Sequence, residues 1–304
     1  MISLVMAVYN GEQYITAQME SIKNQSLAPD EVIIRDDCST DKTREVVSNF
    51  ITANGLNWKL ICAETNTGWR DNFYSAIGLS TGDIVFLCDQ DDVWYPDKIE
   101  SMVSVIESHP EILLLASGYH PIFFDSVKKI NLPGDSRNDG SIEKVPFDKH
   151  CLSISYPGCT YCFRKSLKEK YMKYGSPSMA HDAQLWCFAL QKDGLFILNR
   201  VLMDFLRHEG AQTTTTKEHL DRQYFIFATK CRLEFIEKFL DKAYENNYTD
   251  ERIKFLKRMK TWVEARIELY SSRNLFKVFG ILPCLSCYEK PKHFVRDIYL
   301  ALKK

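Results

Sequence analysis

Thr81-Gly82-Asp83-Ile84-Val85-Phe86-Leu87-Cys88-Asp89-Gln90-Asp91-Asp92 carries a short apolar run directly into three carboxylates. The apolar part reads as a buried strand, and the aspartates stand at its carboxyl end. Like charges grouped there repel one another, so such a cluster persists where a metal or a cationic substrate neutralises it. Hard oxygen ligands favour Mg2+ or Mn2+ and leave coordination positions open for substrate phosphates. The cluster therefore points to chemistry on a nucleotide diphosphate. A plainer reading stands beside it: Asp91 and Asp92 open the next helix, whose first turn favours acidic residues.

The same pattern recurs upstream. Ile2 to Val8 is almost continuously apolar and stops at Tyr9-Asn10-Gly11, as a parallel strand buried on both faces does at a turn. Residues 12 to 25 place Tyr14, Ile15, Met19 and Ile22 at helical spacing, and Pro29 marks a loop before a strand from Glu31 to Arg35. Asp36-Asp37-Cys38-Ser39-Thr40-Asp41-Lys42-Thr43 ends that strand, and Val46, Val47, Phe50 and Ile51 line a helix from Thr43 to Ile51. Lys59 to Cys62 reads as a third strand, Asn72 to Leu79 as a third helix and Ile84 to Cys88 as the fourth strand. This alternation predicts an α/β fold, a Rossmann-like and mostly parallel sheet flanked by helices. Ligands of such sheets bind outside the carboxyl ends of the strands, where Tyr9-Asn10, Asp36-Asp37 and Asp89-Gln90-Asp91 all fall. Helix capping explains each cluster singly but not their shared location. The first turn lacks GxGxxG, which argues against nicotinamide binding.

With 304 residues, 45% of them hydrophobic and 26% charged, the chain has material for a large folded core. A formal net charge of -1 excludes a globally basic nucleic-acid binder. The charge is uneven, since residues 251–304 hold thirteen Lys or Arg against five Asp or Glu. No run reaches the ~18 apolar residues that span a bilayer, and Met1-Ile2-Ser3-Leu4-Val5 lacks a basic signal-like start, so the expectation is a cytoplasmic protein. The ten cysteines are scattered, as buried thiols of a reducing compartment are. Cys159 and Cys162, like Cys284 and Cys287, have CxxC spacing, but more than a hundred residues separate the pairs. A strand over 157–163 would also turn Cys159 and Cys162 to opposite sides, which speaks against zinc.

Ala7-Val8-Tyr9-Asn10-Gly11-Glu12, Asp36 to Thr43, Asn66-Thr67-Gly68 and Asp89-Gln90-Asp91-Asp92-Val93-Trp94 together resemble, in order and spacing, the inverting glycosyltransferases of family 2, which have the GT-A fold. The likeness extends more loosely to about residue 215. The Asp89-Gln90-Asp91-Asp92 form is similar to that of bacterial enzymes that build O-antigen, capsular or rhamnose-containing polysaccharides. The resemblance implies that Ala7, Tyr9 and Glu12 line the base and ribose pocket, and that Asp37 accepts a hydrogen bond from a pyrimidine imide. It implies that Asp89 holds the ribose or a metal-bound water, that Asp91 binds the cation bridging the two phosphates, and that Asn66, Gly68 and Arg70 pass close to the donor. Asp92 either supports the metal site or caps a helix. Trp69 is a donor-pocket wall or a core residue.

Beyond Leu115 the alternation fades, and 125–150, with Pro133-Gly134 and Asn138-Asp139-Gly140, reads as a surface excursion suited to an acceptor lid. Tyr156-Pro157-Gly158-Cys159-Thr160-Tyr161-Cys162-Phe163-Arg164 resembles the family's small-residue turn and strand beneath the acceptor. His181-Asp182 precedes a helical pattern over 183–192, which makes Asp182 an N-cap candidate; the resemblance makes the same carboxylate the general base. Arg207-His208-Glu209-Gly210-Ala211-Gln212-Thr213 resembles the late arginine-histidine stretch that closes over the diphosphate, with Arg207 as phosphate donor and His208 as a further metal ligand. From His219 onward, Phe225, Phe227, Cys231, Phe235, Ile236 and Phe239 form one helical stripe, and Phe255, Met259, Trp262, Val263 and Ile267 another. Leu275 to Leu282, within the basic tail 275–304, suits either an anionic membrane surface or a charged solvent face.

The expected organisation is a nucleotide-sugar-binding half over 1–115, an acceptor-binding and catalytic half over 116–218, and a helical region over 219–304. The expected activity is metal-dependent inverting transfer, with Mn2+ or Mg2+, from a UDP- or dTDP-sugar to a hydroxyl of a glycan or lipid-linked glycan at the inner face of the cell membrane. Sugar-phosphate nucleotidyl transfer and a noncatalytic GT-A-like subunit stay open as alternatives at this point.

Overall fold

A computed structural model describes residues 1–124, 137–149, 154–177, 179–208, 222–243, 248–272 and 274–302. The chain divides into two compact units, Met1–Pro146 with Ile154–Glu209, and Phe147–Ser153 with Gly210–Lys304.

The first unit is built on one sheet. Its strands are β1 (Ile2–Val8), β2 (Glu31–Asp36), β3 (Lys59–Cys62), β4 (Ile84–Cys88), β5 (Val93–Trp94), β6 (Leu114–Phe123), β7 (Ile142–Lys144), β8 (Tyr161–Arg164) and β9 (Leu195–Arg207). They lie in the order β3-β2-β1-β4-β8-β6-β9-β5, with β7 also on β9. β3, β2, β1 and β4 pair in parallel. β8 runs against both β4 and β6, so β6 and its parallel partner β9 point the same way as β4. The carboxyl ends of β1, β2, β4 and β9 and the start of β8 therefore share one edge.

Helices α1 (Ile15–Lys23), α2 (Thr43–Ala53), α3 (Trp69–Leu79), α4 (Lys98–Ser108), α5 (Lys165–Tyr174) and α6 (His181–Leu190) complete this unit. Ile2, Leu4, Met6 and Val8 of β1 join Met19 of α1, Val47 of α2 and Met102 of α4 in one core. Val5, between them, is equally buried, and α3 packs against β1. Burial on both faces is why this strand reads as an unbroken apolar run. The sequence places the alternation's end at Leu115, yet β6 continues to Phe123. Its register against β9 shifts at Gly118, where a Cβ would lie 2.9 Å from the Arg200 carbonyl oxygen. A bulge of this kind breaks the period-two pattern that a strand otherwise shows.

The second unit contains α7 (Arg222–Asp241), α8 (Asp250–Ser272), α9 (Val278–Ile281) and α10 (Pro291–Leu302). Phe225, Phe235, Ile236 and Phe239 are buried on α7 as their spacing predicts, but Phe227 is exposed. On α8 the buried face also includes Arg266, held by Asp297 of α10. No helix among the described residues is long and apolar enough to cross a membrane.

One carboxylate ties the early strands. Glu31, at the start of β2, accepts from Ser3 Oγ (2.6 Å), Thr81 N (2.9 Å) and Lys59 Nζ (3.0 Å), joining β1, β3 and the turn before β4. Burial alone would raise its pKa, but these donors outweigh burial and hold it at about 2. Because the folded pKa lies below the ordinary 4.5, the resulting stability is present above pH 4.5 and lost as the pH falls towards about 2. Glu31→Gln is expected to lower unfolding free energy by about 3 kcal/mol at pH 7. Urea denaturation should show the gap between the two proteins closing across that acidic window; a gap independent of pH would contradict this role.

Candidate active site

The turns after β1 and β2 are knitted together. Asn10 and Cys38 both have positive φ, 46° and 62°. Asn10 N donates to Ser39 Oγ (2.9 Å), Thr40 N donates to Asn10 Oδ1 (2.8 Å), and Gly11 N donates to Thr43 Oγ1 (2.8 Å). Gln90 clasps the turn from β4, accepting from Tyr9 N (2.8 Å) and donating to Tyr9 O (3.0 Å). A Cβ on Gly11 would meet the Gln90 side-chain amide, so a larger residue there would have to displace Gln90 from its clasp. Of the expected base-pocket residues, Tyr9 is 41% exposed and Ala7 is partly buried. Glu12 accepts from Lys42 N (2.8 Å).

Asp37 is buried and pins the segment before α3. Its Oδ1 accepts from Thr67 N and Oγ1 (both 2.9 Å), and its Oδ2 accepts from Gly68 N (2.8 Å). Three bonds leave one of a carboxylate's roughly four acceptor sites. Gly68 has φ 86°, a conformation that favours glycine. Asn66 and Arg70 are exposed beside it, and the Arg70 guanidinium lies 4.4 Å from the Trp69 ring centroid.

The aspartates after β4 meet residues from far along the chain. His208, which follows β9, has Nε2 2.7 Å from Asp91 Oδ2. The imidazole is stacked on Tyr14, ring centroids 4.2 Å apart, with Phe124 edge-on. Asp92 is buried and accepts from Leu206 N (3.2 Å). It does not cap a helix, and neither does Asp91: β5 follows them, and α4 starts only at Lys98. Carboxylate oxygens of Asp89 and Asp92 and the Cys159 sulfur lie within 4.8 Å of one another. Burial, then Asp91, pushes Asp89 up to about 7. Burial, then Asp89 and Asp91, raises Asp92 well above the usual carboxylate range. Arg207 is also buried; burial lowers its pKa, while Asp91 and Asp92 pull it back up. Glu209–Thr213 of the same motif lie outside the described residues, as does 125–136 of the expected lid.

Asp182 enters from α6. The N-cap is Ala180, so Asp182 is not the cap but a first-turn residue, and Ala183 N donates to its Oδ1 (2.7 Å). Its charge contributes to the raised pKa of Asp89. Neighbouring His181 is stacked on Phe73 (4.0 Å) with Trp69 edge-on (5.9 Å), and burial lowers its pKa to about 4. Trp69 is thus a partner of this buried ring. Gly158–Thr160 forms a 3-10 turn rather than the start of a strand, which carries Cys159 to the aspartates. The thiol stays protonated because burial raises its pKa well above the usual range.

The structure therefore brings Asp89, Asp91, Asp182, Arg207 and His208 together, with Asp37 anchoring the adjoining loop. Sequence reasoning placed Gln90 at the strand end and Cys159 in the turn beneath the acceptor without giving either a role here, and it read Tyr14 only as a helix-face residue. Tyr14 carries no signal beyond ordinary core spacing. The two CxxC pairs fall in different units, and the cysteines among the described residues form no disulfide.

Residues 3–170, more than half of the chain, match the profile of glycosyl transferase family 2, and the chain belongs to that family. It is 28% identical over 222 residues to the dTDP-rhamnosyl transferase RfbG of Shigella flexneri, covering 68% of this chain and 73% of that protein. It is 31% identical over 146 residues, 47% of its length, to an uncharacterised protein of Mycobacterium bovis, and spans 42% of that relative. S. aureus TarS 1-349 in complex with UDP-GlcNAc shares the fold at TM-score 0.65 and 19% identity, over 98% of this chain and 81% of that chain. The mannosyltransferase PcManGT from Pyrobaculum calidifontis, in complex with GDP-Man and Mn2+, matches at TM-score 0.54 and 16% identity, over 100% of this chain and 81% of that chain. The fold is GT-A, and membership of a glycosyltransferase family counts against the nucleotidyl-transfer reading.

Gly158 sets the position of the α6 terminus, because a Cβ there would lie 2.8 Å from His181 Nε2 and 3.2 Å from Asp182 Cβ. Gly158→Ala is expected to destabilise the protein by about 1–3 kcal/mol through overpacking. Chemical denaturation checks this, and a loss below about 0.5 kcal/mol would show that the turn yields without moving the buried ring.

Proposed function

We propose that this chain is a metal-dependent inverting glycosyltransferase that transfers one sugar from a UDP- or dTDP-sugar to a hydroxyl of a lipid-linked glycan in bacterial surface polysaccharide synthesis. The observation that carries this reading is the 2.7 Å contact between Asp91 and His208, which joins motifs 117 residues apart beside Asp89. One carboxylate and one imidazole suit a divalent cation, and the mutual repulsion of Asp89, Asp91 and Asp92 favours a cation among them. Asp91 and His208 would hold Mn2+ or Mg2+, with Asp89 beside them, while the protonated Cys159 thiol is a poor ligand for such hard ions. When bound, the cation supplies charge neutralisation to the departing diphosphate.

Asp182 is the base. Ala183 N fixes its carboxylate, and His181, with a pKa of about 4 and its ring packed on Phe73, is too weak and too enclosed to compete. Asp182 takes the proton of the acceptor hydroxyl as the oxygen attacks the anomeric carbon opposite the diphosphate. The bond from that carbon to the diphosphate oxygen breaks, and the configuration inverts. Arg207 faces the charge developing on the phosphates.

Tyr9, Ala7, Glu12, Asn66, Gly68 and Arg70 line the nucleotide side, and Asp37 both shapes the 67–68 turn and offers its remaining acceptor site to the pyrimidine imide. UDP-GlcNAc in TarS and dTDP-rhamnose in the name of RfbG support a pyrimidine donor. Residues 1–115 then serve the donor, 116–218 the acceptor and chemistry, and 219–304 form a helical extension. Phe276 and Phe279, 77% and 67% exposed within the basic C-terminal region, support contact with an anionic membrane at its cytoplasmic face.

Asp182→Asn is expected to bind donor normally while lowering kcat by about 10^2–10^4. Asp91→Ala and His208→Ala should each abolish the thermal stabilisation that Mn2+ gives the wild-type protein. Product anomers read by NMR with UDP- and dTDP-sugars complete the test. Full transfer by Asp182→Asn, or retained configuration in the product, would refute the assignment.

A further inference from the structure

The C-terminal unit holds a cavity of about 140 Å3 whose lining includes Lys149, Arg232, Trp262, Arg266, Glu289 and Arg296. A void of about 150 Å3 accommodates a benzene-sized guest, so this one has room for a phosphate group. Its wall is cationic. Arg266 is already neutralised by Asp297, with contacts of 2.6 and 3.2 Å, but Lys149, Arg232 and Arg296 face Glu289 as the one carboxylate of the lining. The pKa of Arg232 is lowered by burial and then by Arg266 and Arg296.

Hydrogen bonding points the same way. Three donors of the lining, Arg266 Nη1, Arg296 Nε and Trp262 Nε1, are buried without an acceptor among the described residues. Arg266 is itself 1% exposed. Asp297 gives them no hydrogen bond: it pairs with Arg296 Nε only at 3.9 Å, and its oxygens already accept from Arg266, Tyr270 and Tyr288. The lining leaves no buried side-chain acceptor unpaired among the described residues. Donors in excess and positive charge in excess, converging from α7, α8 and α10, call for a guest that offers negative acceptors in several directions.

We propose that this cavity binds a phosphate-bearing anion. Arg232 and Arg296 supply its charge recognition, Trp262 and the free edge of Arg266 its orientation, and the reading stands independently of the donor-site chemistry.

Titration of the full chain with inorganic phosphate and with pyrophosphate, followed by tryptophan fluorescence, tests it. A saturable change is expected that disappears in Trp262→Phe and persists in Asp91→Ala, which separates it from binding at the aspartates of the other unit. Arg232→Gln combined with Arg296→Gln should weaken half-saturation about tenfold or more, as loss of a hydrogen bond to a charged group does. Glu289→Gln, which removes the lining carboxylate, should tighten it. Phosphatidylglycerol vesicles distinguish the source: co-sedimentation lost in the double arginine variant assigns the site to a lipid headgroup, and sedimentation unaffected by it assigns the site to free phosphate. No response of the wild-type chain to either anion, or a response equal in the double arginine variant and in Glu289→Gln, would overturn the proposal.

Discussion

The contact of Asp91 with His208 is the point on which the site's geometry depends. Neither residue belongs to a regular element: Asp91 follows β4, and His208 follows the thirteen-residue β9. Their meeting requires β9 to run in the direction of β4, which the antiparallel β8 between β4 and β6 makes possible. A reversal of β9 would carry Arg207 and His208 to the opposite edge of the sheet. Asp92 reinforces the alignment by accepting from Leu206 N, one residue before Arg207. Tyr14, the residue before α1, then fixes the imidazole plane by stacking. One sheet direction thus converts distant sequence into a compact donor set.

Around that contact, side chains that make no claim on chemistry hold the turns in place. Gln90 fastens the β4 turn to β1, Asp37 fastens the segment before α3 to β2, and Ser39 and Thr43 fasten the β1 turn to the segment following β2. Each uses a short polar side chain to satisfy backbone groups that a strand end leaves unpaired. Rigid placement of this kind matters because charged groups act on a reaction in proportion to how little they must move. Gly11 and Gly158 belong to the same framework: a side chain at the first would displace the Gln90 amide, and one at the second would press on the buried His181 ring.

β1, β2 and β4 were legible because their both-faces burial leaves a continuous apolar run, and because each ends in polar turn chemistry. Ile84–Cys88 and Lys59–Cys62 match the structure residue for residue. β9 was not legible: Asn199, Arg200 and Asp204 interrupt its apolar residues, and its pairing is decided by distant β6. The role of Cys159 was hidden for a related reason. Its turn is set by Pro157 and Gly158, whereas a strand pattern laid over 157–163 points its side chain elsewhere. Aspartates were identified by chemical type and clustering; their partners Tyr14 and Cys159 are apolar or weakly polar and look like core. Asp182 shows the limit of local rules, since a carboxylate beside a helix start reads as a cap, while backbone geometry gives that place to Ala180.

The two units accumulate opposite imbalances. In the first, Asp89 and Asp92 sit close to Asp91 and to each other, and each raises the cost of ionising its neighbours. In the second, Arg232, Arg266 and Arg296 share a cavity wall with buried donors that lack acceptors. A fold selected for stability alone would replace such groups with apolar ones of similar volume, because crowded carboxylates and buried donors without acceptors are destabilising. Local conflicts of this kind are expected where a guest of the opposite character completes the structure, since a ligand that binds only the folded state returns the lost stability through mass action. The sign of each imbalance then specifies the guest: a cation for the carboxylates at the strand ends, an anion for the arginines among the helices.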